Sequence, residues 1–175
     1  MRAQEWLMLT SAGLLLYRHS AEGIEVLLGH MGGPFWAARQ VGAWSVPKGE
    51  YAADVDPHAA AVREFTEEIG QAPPPGPETS LGAVRQRAGK WVTVWARLGD
   101  LEVSRINSNL FEMEWPPRSG RRQKFPELDR AQWFPLPQAR ERVIAAQIPF
   151  LDRLRYALEP PAGASDPVTR PGGRT

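Results

Sequence analysis

The chain has 175 residues, 42% of them hydrophobic and 23% charged, with 21 Lys plus Arg against 20 Asp plus Glu. That is one domain's length, enough to bury a core, and a net charge of +1 gives no electrostatic reason to expect a nucleic-acid partner. The absence of cysteine excludes a disulfide scaffold, a thiolate nucleophile and a zinc–thiolate site.

No segment reaches the roughly 20 apolar residues that span a bilayer. The stretch from Trp6 to Tyr17 reads as a buried strand, not a secretory signal: Glu5 sits in its flank and no small-residue cleavage site follows. A cytoplasmic protein is therefore expected. Residues 12–18 and 24–30 form two short apolar runs around Ser20-Ala21-Glu22-Gly23, the pattern of a hairpin. A Gly-rich loop over 31–43 leads to a short strand at 44–46 that ends at Pro47. Residues 57–69 are predicted to be a helix. Asp56 suits the N-cap, Pro57 the first turn and Gly70 the C-terminal stop, with Val62, Phe65 and Ile69 as the buried stripe.

Beyond an extended Pro-rich loop at 72–78, strands are predicted at 81–87 and 91–98, with Ala88-Gly89-Lys90 as the turn and Trp91 and Trp95 in the core. Residues 104–124 carry few regular signals, apart from a short strand around 110–115. A strand at 131–135 and a C-terminal helix at 137–158, kinked or broken at Pro149, complete a domain over residues 1–158. The Pro/Gly-rich residues 159–175 are expected to be a disordered tail. Strands and helices without regular βαβ alternation point to an α+β fold with a mixed sheet.

The chemistry concentrates in Arg63-Glu64-Phe65-Thr66-Glu67-Glu68-Ile69-Gly70. Glu64, Glu67 and Glu68 stand at i, i+3 and i+4, on one helix face, where like charges repel. A divalent cation or an arginine would offset that repulsion, and hard cations such as Mg²⁺ prefer oxygen ligands, often shared with substrate phosphates. A solvated acidic face is the alternative; the Pro47-Lys48-Gly49-Glu50 turn just upstream and the apolar opposite face favour the cation.

The segment from Gly49 to Gln71 resembles the box of the Nudix hydrolase family, G-x5-E-x7-R-E-U-x-E-E-x-G-U, with Gly49, Arg63, Glu64, Phe65, Glu67, Glu68 and Gly70 in register. Residues 44–50 and 125–134 resemble a bacterial, nucleoside-triphosphate-pyrophosphohydrolase-like branch of that family. The resemblance implies an α/β/α sandwich, with a mixed sheet between helices. It also implies metal-dependent hydrolysis of a nucleoside diphosphate linked to a second moiety, such as a nucleoside triphosphate or dinucleoside polyphosphate, with Mg²⁺ or Mn²⁺. On the same basis Glu67 and Glu68 would bind metal, Glu64 would bind metal or orient water, Arg63 would hold the carboxylates, and the Lys48 carbonyl would be a further ligand. The family often draws one more carboxylate from a distal loop; Glu112, Glu114 and Glu127 are the candidates.

Lys48 and Arg39 are candidates for phosphate contact, and Trp36 for stacking on a base. Arg118, with Arg121 and Arg122, could contact phosphate or simply face solvent. His19, His30 and His58 lack metal-ligand spacing and read as structural or exposed. The expected partner is a nucleotide; neither membrane nor nucleic acid is expected, and the chain would be a monomer or homodimer. Two positions depart from the box: Gln71 replaces an apolar residue and Val55 replaces a glutamate. In the family that glutamate lies near the metal, so Val55 implies slower catalysis. It also keeps open an alternative, a catalytically weak Nudix-fold module that binds a nucleotide and regulates another process.

Overall fold

The structure, a computed structural model, describes residues 10–86 and 89–159. Strand β1 (Thr10–Ser20) turns at Ala21-Glu22 into β2 (Gly23–Met31), as the apolar runs predict. The two strands pair only near the turn, from Tyr17↔Val26 to Ser20↔Gly23. Farther along they part, and residues 44–50 fill the gap as β3 (Trp44–Ser45) and β4 (Lys48–Glu50). β3 pairs with Gly29 and His30 of β2, and β4 pairs with Ser11 to Gly13 of β1. The wedge is tight: a Cβ on Gly13 would lie 2.8 Å from the Pro47 carbonyl oxygen. β4 was not expected, because three residues of Lys-Gly-Glu carry no strand pattern and find their strand partner only in β1.

The sheet continues through β6 (Trp91–Leu98), parallel to β1, to β5 (Glu78–Arg85). On the other side β9 (Leu128–Pro135) pairs antiparallel with β2, giving seven strands in one mixed sheet. A separate hairpin joins β7 (Leu110–Glu114) and β8 (Arg122–Pro126). β8 was also absent from the sequence reading, since Arg-Gln-Lys is polar and pairs only with β7.

Helix α1 (Pro57–Ile69) covers one face of the sheet. Its ends follow the sequence signals: the Asp56 carboxylate accepts from the Ala59 N–H at 2.8 Å, and Gly70 adopts φ 81° as the C-cap. The buried stripe keeps Phe65 and Ile69, adds Ala60 and Ala61, and leaves Val62 only half-buried. The stripe packs on Ala12, Leu14, Leu16, Leu27 and Leu128. The opposite face carries α2 (Leu136–Arg142) and α3 (Ile148–Leu158) over a second cluster built around Trp44, Phe134, Phe150 and Leu154. Trp95 is half-buried, whereas Trp91 at the strand end is exposed, not core.

The C-terminal helix breaks six residues before Pro149. Val143 and Ile144 turn extended, Val143 bridges to Trp44, and the Ile144 N–H donates to the Trp44 carbonyl at 2.9 Å. A helical turn at Ala145–Gln147 then leads into α3, with Pro149 in its first turn. Tertiary pairing with β3 thus overrides a continuous apolar helical pattern. The tail from residue 160, and the part of the signal-like stretch before residue 10, lie outside the described residues.

Gln147 secures the wedge from behind. Fully buried, its Oε1 accepts from the Val46 N–H at 2.9 Å and its Nε2 donates to Ser45 Oγ at 3.0 Å. Gln147→Leu keeps the volume but strands that buried N–H, so it is expected to lower stability by about 1–3 kcal/mol in urea unfolding.

Candidate active site

The wedge delivers Lys48, Gly49 and Glu50 to one end of β1, beside the carboxylate face of α1. The Lys48 N–H donates to Glu68 Oε2 at 3.0 Å, tying β4 to the last turn of the helix. Glu64 lies against Gly49: a Cβ at that position would sit 1.9 Å from Glu64 Oε2. A side chain at this position would push the Glu64 carboxylate out of its place against the strand. Arg63 pairs with Glu64, reaches Glu67 at 3.7 Å, and donates to the Glu50 carbonyl at 3.2 Å. It acts as a bracket across the acidic face.

These residues open into a cleft of about 570 Å³ whose walls include Trp36, Lys48, Glu64, Glu67, Glu68 and Glu127. Of the three distal carboxylates, Glu127 alone lines it. β7 alternates, with Phe111 toward the cleft and Glu112 and Glu114 exposed. Glu112 pairs with Arg122 at 2.7 Å, and Glu114 accepts from the Gly120 N–H at 2.8 Å. Glu127 is held by main-chain bonds at the β8–β9 corner, donating to the Asn109 carbonyl at 2.8 Å and accepting from Gly32 at 2.9 Å. Asn109 in turn donates its own N–H to the Glu67 carbonyl at 3.2 Å.

Two expected phosphate contacts do not reach the cleft. Arg39 lies over the Trp36 ring at 5.5 Å, its carbonyl taken by His30 Nε2 at 2.7 Å. Arg118 occupies the β7–β8 turn at φ 64°. Conversely, Ser11, Met31, Lys90, Asn109 and Phe111 line the cleft and carried no sequence signal. Chain topology alone brings them there.

Electrostatically the cleft is overloaded with carboxylates. Burial pushes Glu68 up to about 8, with Glu127 and Glu64 adding to the rise and Lys48 opposing it. Glu127 is raised by burial and then by Glu64 and Glu67. Burial likewise lowers Lys48, against the pull of Glu68. As the side chains stand, no three acidic or histidine groups among the described residues converge closely enough to grip an ion, since Glu68 faces the Lys48 amide and Glu64 faces Arg63. The donor set, oxygen-only and short of positive charge, fits a hard divalent cation.

The sequence from residue 9 to 154 matches the family model described as the NUDIX domain. This chain belongs to the Nudix family. Its fold is similar to three solved structures. The NUDIX domain of Shewanella oneidensis NrtR, complexed with ADP ribose, is 17% identical with a TM-score of 0.61, over 87% of this chain and 89% of that one. The C. elegans Ap4A hydrolase binary complex is 20% identical with a TM-score of 0.57, over 85% and 97%. The E. coli ORF135 protein is 16% identical with a TM-score of 0.52, over 85% and 91%. No curated protein matches the sequence. In this Nudix protein Glu64, Glu67 and Glu68 share one cleft, and Arg63 is paired to Glu64 and Glu67 beside it.

Val55, the departure from the Nudix box, is half-buried against the α1 side of the core, in the cluster that holds Ala60. It stands just before the Asp56 cap, so Val55 and Ala60 occupy the two positions of a hydrophobic staple. Val55→Glu is expected to lower the melting temperature by about 2–4 °C, the shift of roughly 1 kcal/mol in a chain of this size. A Mg²⁺ titration of the variant should show no gain in affinity.

Glu68 also sets a pH dependence. Its folded-state value lies above the unfolded one, so the folded protein binds more protons between about 4.5 and about 8. Stability from this group is present below that window and lost as pH rises through it. Without added divalent cation, Glu68→Gln is expected to flatten the fall and gain on the order of a few kcal/mol at pH 8 in urea unfolding.

Proposed function

We propose that this Nudix protein hydrolyses the pyrophosphate bond of a nucleoside diphosphate linked to a further group, with Mg²⁺ or Mn²⁺ as cofactor. The observation that carries the reading is the convergence of Glu64, Glu67, Glu68 and Glu127 with Lys48 on one cleft built by the wedge and α1. Members of the family generally use divalent metal ions. Here Glu64, Glu67, Glu68 and Glu127, with the Lys48 carbonyl, would hold the ion. When bound, it neutralises pyrophosphate charge and makes water a stronger nucleophile.

The protein's own residues supply the remainder. A carboxylate of this cluster that is not engaged by the ion would accept the proton of the attacking water. Arg63 keeps Glu64 in place against Gly49. Lys48 compensates charge on the phosphates. Trp36 and Phe111 form an apolar wall at which a base can stack, and the nucleotide-named relatives agree with a nucleotide substrate. No helix among the described residues is long and apolar enough to cross a membrane; a cytoplasmic location is part of this proposal. The alternative of a weak regulatory module rests on Val55 at the box glutamate's position, a side chain that packs against the core; the panel below separates the two readings.

The test is a panel of nucleoside triphosphates, dinucleoside polyphosphates and ADP-ribose with Mg²⁺ or Mn²⁺, reading phosphate released after a coupled phosphatase. Turnover of at least one class is expected. Glu67→Gln and Glu68→Gln should each reduce it by at least about 100-fold, the scale of losing a strong electrostatic stabiliser. Near wild-type rates in both variants at saturating metal would overturn the site assignment.

A further inference from the structure

We propose that the corner of the cleft formed by Lys90, Lys48 and the Ser11 hydroxyl receives a phosphate beyond the scissile anhydride, so that the enzyme favours chains of three or more phosphates over nucleoside-diphosphate sugars. This rests on the hydrolase reading and narrows it to a substrate class.

Lys90 reaches the cleft from the turn between β5 and β6, closed by a 2.7 Å bond from the Gln86 N–H to the Lys90 carbonyl. Its ammonium meets Glu50 Oε1 at 2.6 Å, across forty residues of sequence. The strands bring these groups together. Ser11 is paired with Glu50 on one side and Val92 on the other, and Thr10 is paired with Trp91, which follows Lys90. Ser11 is 1% exposed, lines the cleft, and its hydroxyl has no hydrogen-bond partner among the described residues. Lys48, on β4 beside it, is near enough to Lys90 for the two charges to oppose each other.

As a stabilising device this arrangement is poor. Glu50 is half-exposed, and such ion pairs contribute little to folding. A buried hydroxyl without a partner is a cost that a ligand can remove. The cleft lining holds Glu50, Glu64, Glu67, Glu68 and Glu127 against these two lysines, so an additional phosphate needs a cation to enter. A nucleoside-diphosphate sugar has its two phosphates at the scissile bond and a neutral group beyond, and gains nothing from Lys90. A triphosphate or dinucleoside polyphosphate places further negative charge there. Lys90 can exchange its bond to Glu50 for one to that phosphate without a change in the fold.

The experiment compares kcat/KM for ATP, a dinucleoside tetraphosphate and ADP-ribose in wild type, Lys90→Ala and Lys90→Arg, with titration calorimetry of inorganic tripolyphosphate on each. In Lys90→Ala the polyphosphate-to-ADP-ribose ratio should fall about tenfold, chiefly through KM, the scale of one lost charged hydrogen bond. Tripolyphosphate affinity should fall by a similar factor, and Lys90→Arg should restore most of both. A ratio and an affinity within twofold of wild type would overturn the inference while leaving hydrolysis intact. If wild type cleaves none of the three but loses tripolyphosphate binding on Lys90→Ala, the hydrolase reading fails and the anion site stands.

Discussion

The bond from the Lys48 amide to the Glu68 carboxylate joins the two halves of this protein's chemistry. One partner belongs to the chain wedged between β1 and β2, the other to the last turn of α1. Each half is anchored in a different apolar cluster, on opposite faces of the sheet. Because the bond is largely shielded from water, shifting either half would leave a carboxylate or an amide without a partner. That fixes the approach of helix to strand, which in turn lets the Glu64 carboxylate lie where a side chain at Gly49 would displace it. The same burial leaves the carboxylate cluster short of positive charge. A site in that condition suits a cation, and through it an anionic substrate.

What the sequence disclosed depended on whether a feature was local. α1 was legible from end to end, because its cap, first-turn proline and C-terminal glycine act within a few residues. The hairpin of β1 and β2 was legible for the same reason. β4 and β8 were not, since each is a short polar segment held by a distant or newly formed partner. The break at Val143 was misplaced to Pro149 because its cause, the Trp44 backbone, lies about a hundred residues away.

The site divides along the same line. Helical spacing revealed Glu64, Glu67 and Glu68, all on one element. Choosing among Glu112, Glu114 and Glu127 required knowing which side of β7 faces the cleft, and alternation alone gives two answers. Lys90 and Asn109 were invisible: one is a lysine in a turn, the other an asparagine in a polar loop, and only the sheet order brings either to Glu50 or Glu67. Val55 carries a second role that the motif did not show: besides replacing the box glutamate, its side chain packs at the start of α1 against the core.

His30 has a place in this arrangement that its spacing did not suggest. It is fully buried, edge-on to Trp44 at 5.0 Å, with Nδ1 bonded to Asp129 at 2.8 Å and Nε2 bonded to the Arg39 carbonyl. Asp129 lies two residues from Glu127, and Arg39 donates its N–H to the Trp36 carbonyl at 2.8 Å. One imidazole therefore hangs the aromatic wall and the acidic corner from a single pivot. The two ends of the cleft share a tolerance. A lineage that reshaped the loop to admit a different base would disturb the carboxylate as well, unless it first loosened the histidine.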